Sequence, residues 1–535
     1  MAGSQEKGKR ATLFVGVGVI FLVAFLIGLI AGAVRYSKWS CGENGYGLVF
    51  DAGSSHSSMA VYKWPGDTTN GTGVVSQVAF YDECGEKGIS SYADDTSKLK
   101  PGLEKCLNSA LDVVPENSIK STPVYLASTA GMRLLHETDP DKSDAVFETV
   151  RETLRASEFA FHDEMKQASI LSGEREGFSS WISANYLAKH LGVTPAITDV
   201  IAETLWGTPI PPLPSFGALD LGGASTQITF APEDPSSIPE ENKVTLRLYG
   251  RNYELYTHSF LCYGANEARR RMEANLVKAS NYSQAPIDNP CSPPGHTYKV
   301  DGAYLWKAPC STGPQAMAGW GSEVTPAPGA TDTTMDSMEY EMVGTGDGAK
   351  CYEAALTLFD FVAPCPNPPC SFNGVYSPKP HGSFKALSAF AYTSSAVGLS
   401  PTAGKDEIVT ARDEFCSKTY ETLETLPSKM KFKLSYCFQM AYIEALLFDA
   451  YKFDDTNYDV EFSNEINGIN LGWALGFMIE ETNRIPYEAS CLGLSPAAFG
   501  GLFVLFLIFL VAGIALIVIG CRRRMLITKA QGAPI

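Results

Sequence analysis

Two long apolar runs stand near the ends of the chain. Residues 12–34 form an uninterrupted stretch of 23 residues without a charge, preceded by Lys7, Lys9 and Arg10. A second run extends over about residues 497–520 and is followed by three arginines. A helix of about 20 residues crosses the ~30 Å hydrocarbon core of a bilayer, so both runs predict transmembrane helices. A cleaved signal peptide is the alternative for the first run, although the apolar part of such a peptide is usually only about 7–15 residues long.

The positive charges beside the two runs predict the orientation of the chain. Basic residues flank each run on its terminal side, which is the pattern of segments that stay in the cytoplasm. We therefore predict a cytoplasmic N-terminus (residues 1–11), a cytoplasmic tail (residues 521–535) and an external or lumenal part between residues 41 and about 490. Arg35 and Lys38 weaken the asymmetry at the first run.

Between the two runs, one pattern of apolar and polar positions occurs twice. Residues 47–64 and 217–230 each contain an apolar run that ends in aspartate (Asp51 and Asp220), a glycine-rich turn and a second alternating strand. β-Branched and aromatic residues around such a turn predict a β-hairpin. Glycines let backbone N–H groups approach an anion, and the aspartate can hold a hydrated divalent cation, so two facing hairpins could grip a polyphosphate. Ordinary hairpin turns are the alternative for either copy alone.

The other patterns in the middle of the chain predict a mixed α/β fold. Residues 110–135 suggest the end of a helix followed by the buried strand PVYLAST. The stretches near residues 143–157 and 437–452 have helical periodicity. Residues 311–348 are rich in Gly, Ala, Pro, Thr and Met, which predicts a surface loop and not a linker between domains.

Length and charge narrow the class of protein. The chain has 535 residues, of which 45% are hydrophobic, so it is long enough for two or three domains and too apolar to be disordered. Its formal net charge is −17, and residues 41–520 carry 33 basic and 58 acidic residues, a charge of −25. This acidity argues against nucleic acid as a partner. It would also repel a polyphosphate, so binding of a polyphosphate requires a basic cleft or a metal-bound substrate.

Ten of the thirteen cysteines lie inside the large domain of the external part, where an even set indicates five disulfide bonds. They are Cys84, Cys106, Cys262, Cys291, Cys310, Cys351, Cys365, Cys370, Cys416 and Cys437. Proximity along the chain favours three pairs and leaves the other four cysteines open: Cys84–Cys106, Cys365–Cys370 and Cys416–Cys437. A zinc site is disfavoured because no CxxC pair occurs and the histidines do not cluster near cysteines.

Three further positions are candidates for covalent modification. Asn70 and Asn281 begin the tripeptides Asn-Gly-Thr and Asn-Tyr-Ser, which are glycosylation sequons and also arise by chance. Cys521, at the cytoplasmic edge of the second run, is a candidate for palmitoylation, with an unmodified thiol as the equal alternative.

Five segments in a fixed order carry the sequence's most specific motifs. They are VFDAGSSHSSM (49–59), YLASTAGMRLL (125–135), SGEREGFSSWISANYL (172–187), ALDLGGASTQITF (218–230) and INLGWALGFMI (469–479). Together with the two anchors and the ten cysteines, they resemble the ecto-nucleoside triphosphate diphosphohydrolases, the membrane-anchored apyrases of the cell-surface type. The resemblance extends over nearly all of residues 12–525.

The resemblance implies a fold of the actin, sugar-kinase and heat-shock ATPase type. Two RNase H-like α/β lobes would be held between transmembrane helices at residues 12–34 and 497–520. Lobe I would comprise residues 42–172, with residues 464–487 returning to it, and lobe II would comprise residues 173–463. Family members associate through their anchors, but the glycines of the two spans are weak evidence for a homo-oligomer here.

The implied activity is that of an ectonucleotidase at the plasma membrane. Such an enzyme hydrolyses ATP, ADP, UTP and UDP to monophosphates with Ca²⁺ or Mg²⁺ and thereby terminates purinergic signalling. A diphosphatase in a Golgi or lysosomal lumen, acting on UDP or GDP, is the second hypothesis. A ligand-binding ectodomain that has lost catalysis is the third.

The motifs that match the family imply the roles of individual residues. Glu176 stands at the position of the general base, and Ser225 and Gln227 stand where the family orients the attacking water. Glu174 competes for the role of base, and either glutamate taken alone could be a charge on a solvated helix face.

The remaining site residues follow in the same way. The metal is expected mainly on Asp51 and Asp220 through water, with Thr129, Glu176 and Trp473 near its hydration shell. The phosphate- and nucleotide-binding positions are Ser54, Ser55, His56, Thr129, Gly222, Gly223, Ala224, Ser225, Gln227 and Tyr392. Trp473 could instead be a core aromatic, and His56 a structural histidine without acid–base work.

Two segments depart from the family pattern. Residues 172–181 read SGEREGFSSW, where family members often carry glutamine and glutamate before the base and an aromatic-Gly-Trp after it. Residues 384–393 have alanine where an aromatic pair is common, so base stacking by Tyr392 and the preference among bases stay open.

Overall fold

The computed structural model describes residues 2–37, 44–66, 68–85, 87–191, 214–306, 308–312, 337–427, 430, 432–485 and 496–531. The chain forms two compact units. One contains both ends of the chain, residues 1–44 and 486–535 together with 65–67, and the other contains residues 45–64 and 68–485. Residues 42–43 and 486–487 of the predicted lobe I lie outside the described residues.

Each apolar run lies within one long helix, Ala2–Ser37 or Pro496–Gln531. The segments Lys9–Val34 and Ala498–Lys529 have mean hydropathies of 3.0 and 3.4 and are long enough to cross a membrane. The two helices pack against each other at glycines: a Cβ added to Gly18 would lie 2.8 Å from the carbonyl oxygen of Gly513. Both predicted apolar helices are confirmed, and they fit a protein with two membrane spans.

The second unit is built around β-sheets. Its strands are β1 (Gly45–Ala52), β2 (Ser57–Trp64), β3 (Ser76–Gly85), β4 (Val124–Ser128), β5 (Ala168–Ile170), β6 (Gly217–Leu221), β7 (Ser225–Phe230), β8 (Lys243–Leu248), β9 (Arg251–Leu261), β10 (Ile287–Asn289), β11 (Thr297–Asp301), β12 (Glu339–Gly344), β13 (Phe384–Ser388), β14 (Val460–Phe462), β15 (Glu465–Ile466) and β16 (Ile469–Asn470). The two predicted hairpins are confirmed as β1–β2 and β6–β7.

The two large sheets repeat one plan. The strand order is β3-β2-β1-β4-β5 in the first sheet and β8-β9-β7-β6-β13-β14 in the second. In each sheet the hairpin is extended by antiparallel pairing on one side and by parallel strands on the other. The register also agrees, because Asp51 lies opposite Ala127 of β4 and Asp220 lies opposite Leu387 of β13. The hairpin repeat in the sequence therefore marks a duplicated sheet.

Helices cover the sheets and connect their strands. They are Lys100–Leu111, Ala130–Thr138, Pro140–Arg155, Glu164–Gln167, Gly173–Leu187, Ala265–Ala279, Gly302–Trp306, Pro309–Thr312, Gly348–Leu356, Ala389–Val397, Lys405–Cys416, Tyr420–Glu424, Tyr436–Glu444 and Trp473–Thr482. The periodicity near residues 143–157 corresponds to the third of these, and that near residues 437–452 to Tyr436–Glu444 with a π-helical continuation to Ala450.

Two of the helices, Gly173–Leu187 and Trp473–Thr482, cross closely. A Cβ added to Gly476 would overlap the carbonyl oxygen of Ser179, and the Gly476 N–H donates a 2.8 Å hydrogen bond to the Ser183 hydroxyl. Apolar side chains of both helices join residues of β1, β2, β8 and β9 in one buried cluster. The helix pair therefore connects the two large sheets through a continuous core.

The prediction of a surface loop at residues 311–348 is wrong in its last part. Residues 339–344 form β12, the middle strand of a third sheet with the order β10-β12-β11. Tyr340 and Met342 alternate with more exposed neighbours and are fully buried. Such alternation over six residues is too short to stand out beside a long stretch rich in glycine and threonine. Residues 313–336 of the predicted loop lie outside the described residues.

Five disulfide bonds join the ten cysteines of the second unit: Cys84–Cys106, Cys262–Cys310, Cys291–Cys351, Cys365–Cys370 and Cys416–Cys437. The three pairs favoured by proximity are present. The two pairs that proximity left open join cysteines 48 and 60 positions apart, which only the fold brings together. Cys521 is an exposed free thiol.

Candidate active site

A cleft of about 1690 Å³ opens at the strand ends of the two duplicated hairpins. Asp51 and Asp220 both line it, as do Glu176, Trp473 and Tyr392. The two halves of the duplication therefore present their aspartates to a single cavity, as the paired hairpins in the sequence predict.

Asp220 is a buried carboxylate, and Asp51, which is partly buried, lines the same cleft. Burial raises the pKa of Asp51 to about 7, the charge of Asp220 adds to this effect, and a hydrogen bond from Trp473 opposes it. Burial also raises the pKa of Asp220, against hydrogen bonds from Ser388 and from Ser180, whose Oγ is 3.1 Å from Oδ2. No described residue forms an ion pair with either carboxylate. Two such groups are stable as anions only when a cation neutralises them.

The donor set fits a hydrated divalent cation. Within the described residues, no group of three or more His, Cys, Asp or Glu side chains is arranged to hold a metal ion. Two carboxylates suffice where water and substrate phosphates supply the other oxygens, as is usual for Mg²⁺. Thr129 and Trp473 are both buried and both line the cleft.

The two hairpin turns approach each other. A Cβ built on Gly223 would lie 3.3 Å from the Cβ of Ser54. The Ser54 hydroxyl accepts a 3.0 Å hydrogen bond from the N–H of Gly131, which lies in the first turn of the helix Ala130–Thr138. Two glycine-rich turns and a helix N-terminus therefore meet at one place, and such backbone arrangements bind anions.

The other predicted turn residues divide between the cleft and the interior. Ser55, His56 and Gly222 line the cleft, and the Ser55 hydroxyl lies 3.2 Å from Nδ1 of His56. Ala224 is buried and packs away from the cavity, where its carbonyl oxygen accepts the N–H of Cys262 at 2.8 Å.

Glu176 lies in a buried cluster of polar side chains beside the aspartates. Arg133 Nη2 is 2.6 Å from Glu176 Oε2 and 3.0 Å from the Ser225 hydroxyl. Gln227 Nε2 is 3.1 Å from the same carboxylate oxygen and 2.7 Å from Ser225. The side-chain oxygen of Gln227, Oε1, is buried without a hydrogen-bond partner among the described residues, which fits a position beside a bound water.

The charge state of Glu176 depends on its surroundings. Burial raises the pKa of Glu176 to about 8, Arg133 opposes the increase, and the charges of Asp220 and Asp51 add to it. A carboxyl group with a pKa near neutrality is well matched to proton exchange with water at physiological pH. A pKa that burial and specific neighbouring charges shift in this way is typical of a catalytic acid or base.

Strand alternation places the polar side chains of the cluster on one face of the second sheet. Asp220, Gln227 and Ser259 lie directly opposite one another on β6, β7 and β9. Ser225 precedes Gln227 by two residues and so shares its face, whereas Thr226 points to the other face. The Ser259 hydroxyl joins the cluster at 3.0 Å from Gln227 Nε2.

The geometry of the helix Gly173–Leu187 directs Glu176, and not Glu174, into the buried cluster. The Ser172 hydroxyl caps the helix by accepting the N–H three residues on, at 3.2 Å. Gly177 allows the helix to lie close to β7, because an added Cβ would be 2.7 Å from a threonine hydroxyl of that strand. Glu176 then points into the cluster and is 6% exposed, whereas Glu174 is exposed.

Comparison with known proteins identifies the family. The model of the GDA1/CD39 (nucleoside phosphatase) family matches residues 38–493. The chain belongs to the GDA1/CD39 family. Its similar sequences include ectonucleoside triphosphate diphosphohydrolase 8 of Gallus gallus, 39% identical over 489 residues, which are 89% of this chain and 91% of that protein. Ectonucleoside triphosphate diphosphohydrolase 1 of Mus musculus is 35% identical over 523 residues, 95% of each chain.

The fold is shared with a solved structure. That of nucleoside triphosphate hydrolases from Neospora caninum matches with a TM-score of 0.60 and 17% identity, covering 87% of this chain and 96% of that one. The predicted α/β fold is thereby confirmed, and the GDA1/CD39 model and the relatives confirm the enzyme class predicted from the motifs, a nucleoside triphosphate diphosphohydrolase.

Sequence reasoning did not identify four side chains of this GDA1/CD39 site: Arg133, Ser180, Ser259 and Ser388. Arg133 lies within the second motif, four residues after Thr129. It is the one charged residue of that motif, and this could have marked it as a residue of the site. Ser388 ends β13 with φ of +56°, an uncommon conformation for serine that often marks functional sites. The duplication could have pointed to it, because Ser128 has the same register in the first sheet.

Three of the predicted residues outside the catalytic cluster are exposed: Tyr392, Asn70 and Asn281. Tyr392 lines the cleft and is 64% exposed. Asn70 and Asn281 are exposed, so both sequons lie on the surface; the Asn70 amide also donates a 3.2 Å hydrogen bond to the carbonyl oxygen of Tyr249.

Proposed function

We propose that this enzyme hydrolyses extracellular nucleoside tri- and diphosphates, namely ATP, ADP, UTP and UDP, to monophosphates by in-line attack of water. The observation that carries the proposal is the buried hydrogen bond of Glu176 to Gln227, which also bonds Ser225, beside two aspartates that lack a cationic partner among the described residues. The names of the relatives support the substrate class.

The attacking water would be bound by the polar cluster. Glu176 accepts its proton, while the Ser225 hydroxyl and the Gln227 amide hold the oxygen in line with the bond that breaks. Arg133 stabilises the carboxylate form of Glu176, which is the form that a base requires. Because all of these side chains are largely buried, bulk water is kept from competing for their hydrogen bonds.

The terminal phosphate would lie between the two hairpin turns. Ser54 and Gly223 approach each other there, so backbone and hydroxyl donors can reach the phosphate from both sheets. Asp51 and Asp220 would hold Ca²⁺ or Mg²⁺ through water. A divalent cation, when bound, neutralises charge on the phosphate oxygens and offsets the repulsion from the acidic protein.

We place the enzyme at the plasma membrane with both termini in the cytoplasm. Two apolar helices with basic terminal flanks support two spans, and five disulfide bonds support an oxidising compartment for the part between them. An enzyme in this position would remove external nucleotides and so end purinergic signals.

A substrate panel on intact cells tests this function. Phosphate release from ATP, ADP, UTP and UDP is measured with Ca²⁺ or Mg²⁺ on cells that express the full chain and on untransfected cells. We expect release that chelation by EDTA abolishes and that either metal restores. Release only after permeabilisation, with a preference for UDP or GDP, would assign the enzyme to a Golgi or lysosomal lumen. A normally expressed protein that hydrolyses no nucleotide in either state would contradict the proposal.

A further inference from the structure

Ser180 lies on the same helix as Glu176, one turn further along. Both residues belong to the helix Gly173–Leu187, and positions four apart lie on the same face of a helix. Glu176 Oε2 is 3.1 Å from the amide nitrogen of Gln227 on β7. Ser180 bonds Asp220 of β6, the residue that lies directly opposite Gln227 in the sheet. The helix therefore places the proposed base over one strand and a hydroxyl group over the next.

The hydrogen bond between Ser180 and Asp220 has a defined direction. Ser180 Oγ is 3.1 Å from Asp220 Oδ2, and both side chains are buried. An ionised carboxylate has no proton and only accepts hydrogen bonds, so the hydroxyl donates whenever Asp220 is an anion. A carboxylate that binds a metal ion is in this form.

Asp220 receives a second hydroxyl group from another element. The side chain of Ser388, at the end of β13, also donates a hydrogen bond to this carboxylate. A carboxylate has about four lone-pair positions, and two fixed donors use two of them and oppose its rotation. Asp220 lines the cleft, so the remaining lone pairs are available to the water shell of a cation.

The carboxylate of the first sheet is held differently. Asp51 receives a hydrogen bond from the side chain of Trp473. Ser128 has the same register as Ser388 and is fully buried, but its hydroxyl has no hydrogen-bond partner among the described residues. The duplication of the sheets does not by itself supply hydroxyl donors, and the two hydroxyls at Asp220 are a feature of the second sheet.

Ser180 also lies in a segment that departs from the family pattern. Residues 179–181 read Ser-Ser-Trp where an aromatic-Gly-Trp is common, so Ser180 stands at the position of the glycine. Glycine has no side chain and cannot supply this hydrogen bond. The neighbouring Ser179 is fully buried as well, but its hydroxyl has no partner in the described part of the chain. Of these two adjacent hydroxyls, that of Ser180 is the one bonded to the site.

We propose that Ser180 is a positioning residue for the divalent cation. By donating to Asp220 Oδ2 it holds that carboxylate in one orientation, so that the cation binds at a lower concentration. Removal of a hydrogen-bond partner of a metal-binding group typically lowers metal affinity about 10–100-fold. The inference rests on the proposed function and adds a residue to its cation site.

The first measurement is the dependence of phosphate release on Mg²⁺, with the full chain in membranes and a fixed concentration of ATP. Ser180→Ala removes the donor and is expected to raise the Mg²⁺ concentration for half-maximal release about 10-fold, while kcat at saturating Mg²⁺ stays within about 3-fold. Ser179→Ala is the matched control, because it removes an equally buried hydroxyl from the same helix. It is expected to change neither quantity.

The second measurement does not depend on turnover. Mn²⁺ is titrated onto the purified full chain in detergent, and the free ion is quantified by its electron paramagnetic resonance signal. Asp220→Asn removes the charge of one proposed ligand, so the binding that this variant loses belongs to the site. Ser180→Ala is expected to raise the dissociation constant of that part about 10-fold, and Ser179→Ala to leave it unchanged.

The second donor provides an independent variant. Ser388→Gly removes the other hydroxyl, and glycine adopts the φ of +56° at this position without strain. It is expected to raise the Mg²⁺ concentration for half-maximal release in the same direction as Ser180→Ala. The double variant, in which Asp220 has lost both hydroxyl donors, is expected to require more Mg²⁺ than either single variant.

The outcomes separate this inference from the proposed function. If Ser180→Ala matches Ser179→Ala in both measurements, or lowers kcat without changing either metal constant, the assignment of Ser180 is wrong while the hydrolase stands. Equal Mn²⁺ binding by the wild type and Asp220→Asn would show that Asp220 does not hold the cation, and would also overturn the inference. A wild-type chain that releases phosphate from neither ATP nor ADP would overturn the proposed function and the inference with it.

Discussion

At the scale of single residues, two glutamates of one motif have different surroundings. Glu174 and Glu176 are two positions apart on one helix, so they point in different directions. Glu176 contacts Arg133 and Gln227 in the buried cluster, whereas Glu174 stays exposed. Burial, and not the type of residue, gives Glu176 a pKa suited to a base.

Substitution of these glutamates provides a matched pair. Glu176→Gln keeps the size of the side chain but cannot accept the proton, so kcat for ATP is expected to fall about 10²–10⁴-fold. Glu174→Gln is the control and is expected to retain activity within about 2-fold. Both are measured as phosphate release from membranes with equal amounts of protein. Equal activity of the two variants would refute Glu176 as the base.

Arg133 leads to a prediction about pH. The carboxylate form of Glu176 is active, so kcat/KM is expected to rise with pH through the pKa of that group. Arg133 lowers this pKa, and Arg133→Met therefore should move the rising part of the pH profile to higher pH, by about one unit or more.

Arg133→Lys serves as the control for this shift. It keeps the positive charge and is expected to leave the rising part near its wild-type position. The pH profile of kcat/KM measures both variants, and a profile that does not move in Arg133→Met would show that Arg133 acts only on packing.

At the scale of elements, two helices link the base to the proposed metal site. One carries Glu176 in its first turn, and the other begins at Trp473, whose side chain bonds Asp51. They approach closely because Gly476 has no side chain at the crossing point. Arg175 reinforces the contact through an ion pair, 2.8 Å long, with a glutamate of the second helix.

The crossing point can be tested by adding one methyl group. In Gly476→Ala the new Cβ overlaps the Ser179 carbonyl oxygen and forces the helices apart, at a cost of about 1–3 kcal/mol. The midpoint temperature for loss of activity of the full chain in membranes is expected to fall by several degrees. Gly404→Ala is the control, since the nearest atom to its Cβ is 3.9 Å away. Equal midpoints would show that the crossing tolerates a side chain.

At the scale of the whole molecule, acidic and basic residues are distributed unevenly along the chain. Residues 41–520 carry a formal charge of −25, whereas the segments beyond the apolar runs are basic. A strongly acidic protein binds a polyanion only when its charge is neutralised locally, which is the task of the proposed cation. The same asymmetry of charge predicts that both ends of the chain stay in the cytoplasm.

Tags on the two termini test this topology. Antibodies are expected to reach an N-terminal or C-terminal tag only after permeabilisation, while a glycosidase on intact cells removes glycans at Asn70 and Asn281. Cells with a tag inserted after Gly295, in an exposed turn, provide the external control. Detection of either terminal tag on intact cells would contradict the two-span arrangement, and loss of the N-terminal tag would indicate a cleaved signal.

The sequence by itself determined the features that depend on local composition and period. An uninterrupted apolar run marks each long helix, and the repeated hairpin marks the duplicated sheet with its two aspartates. The five motifs determined the family. The short strand β12 was not predicted, because alternation of apolar and polar positions over six residues is a weak indication of a strand.

Only the tertiary structure decided which side chains meet. Arg133 contacts Glu176 across 43 positions and Gln439 contacts Thr393 across 46, while β7 and β9 bring Ser259 opposite Gln227. These contacts depend on strand register and helix packing, which join residues far apart in the chain. No local pattern encodes such distances, because the free energy that selects them comes from burial in the completed core.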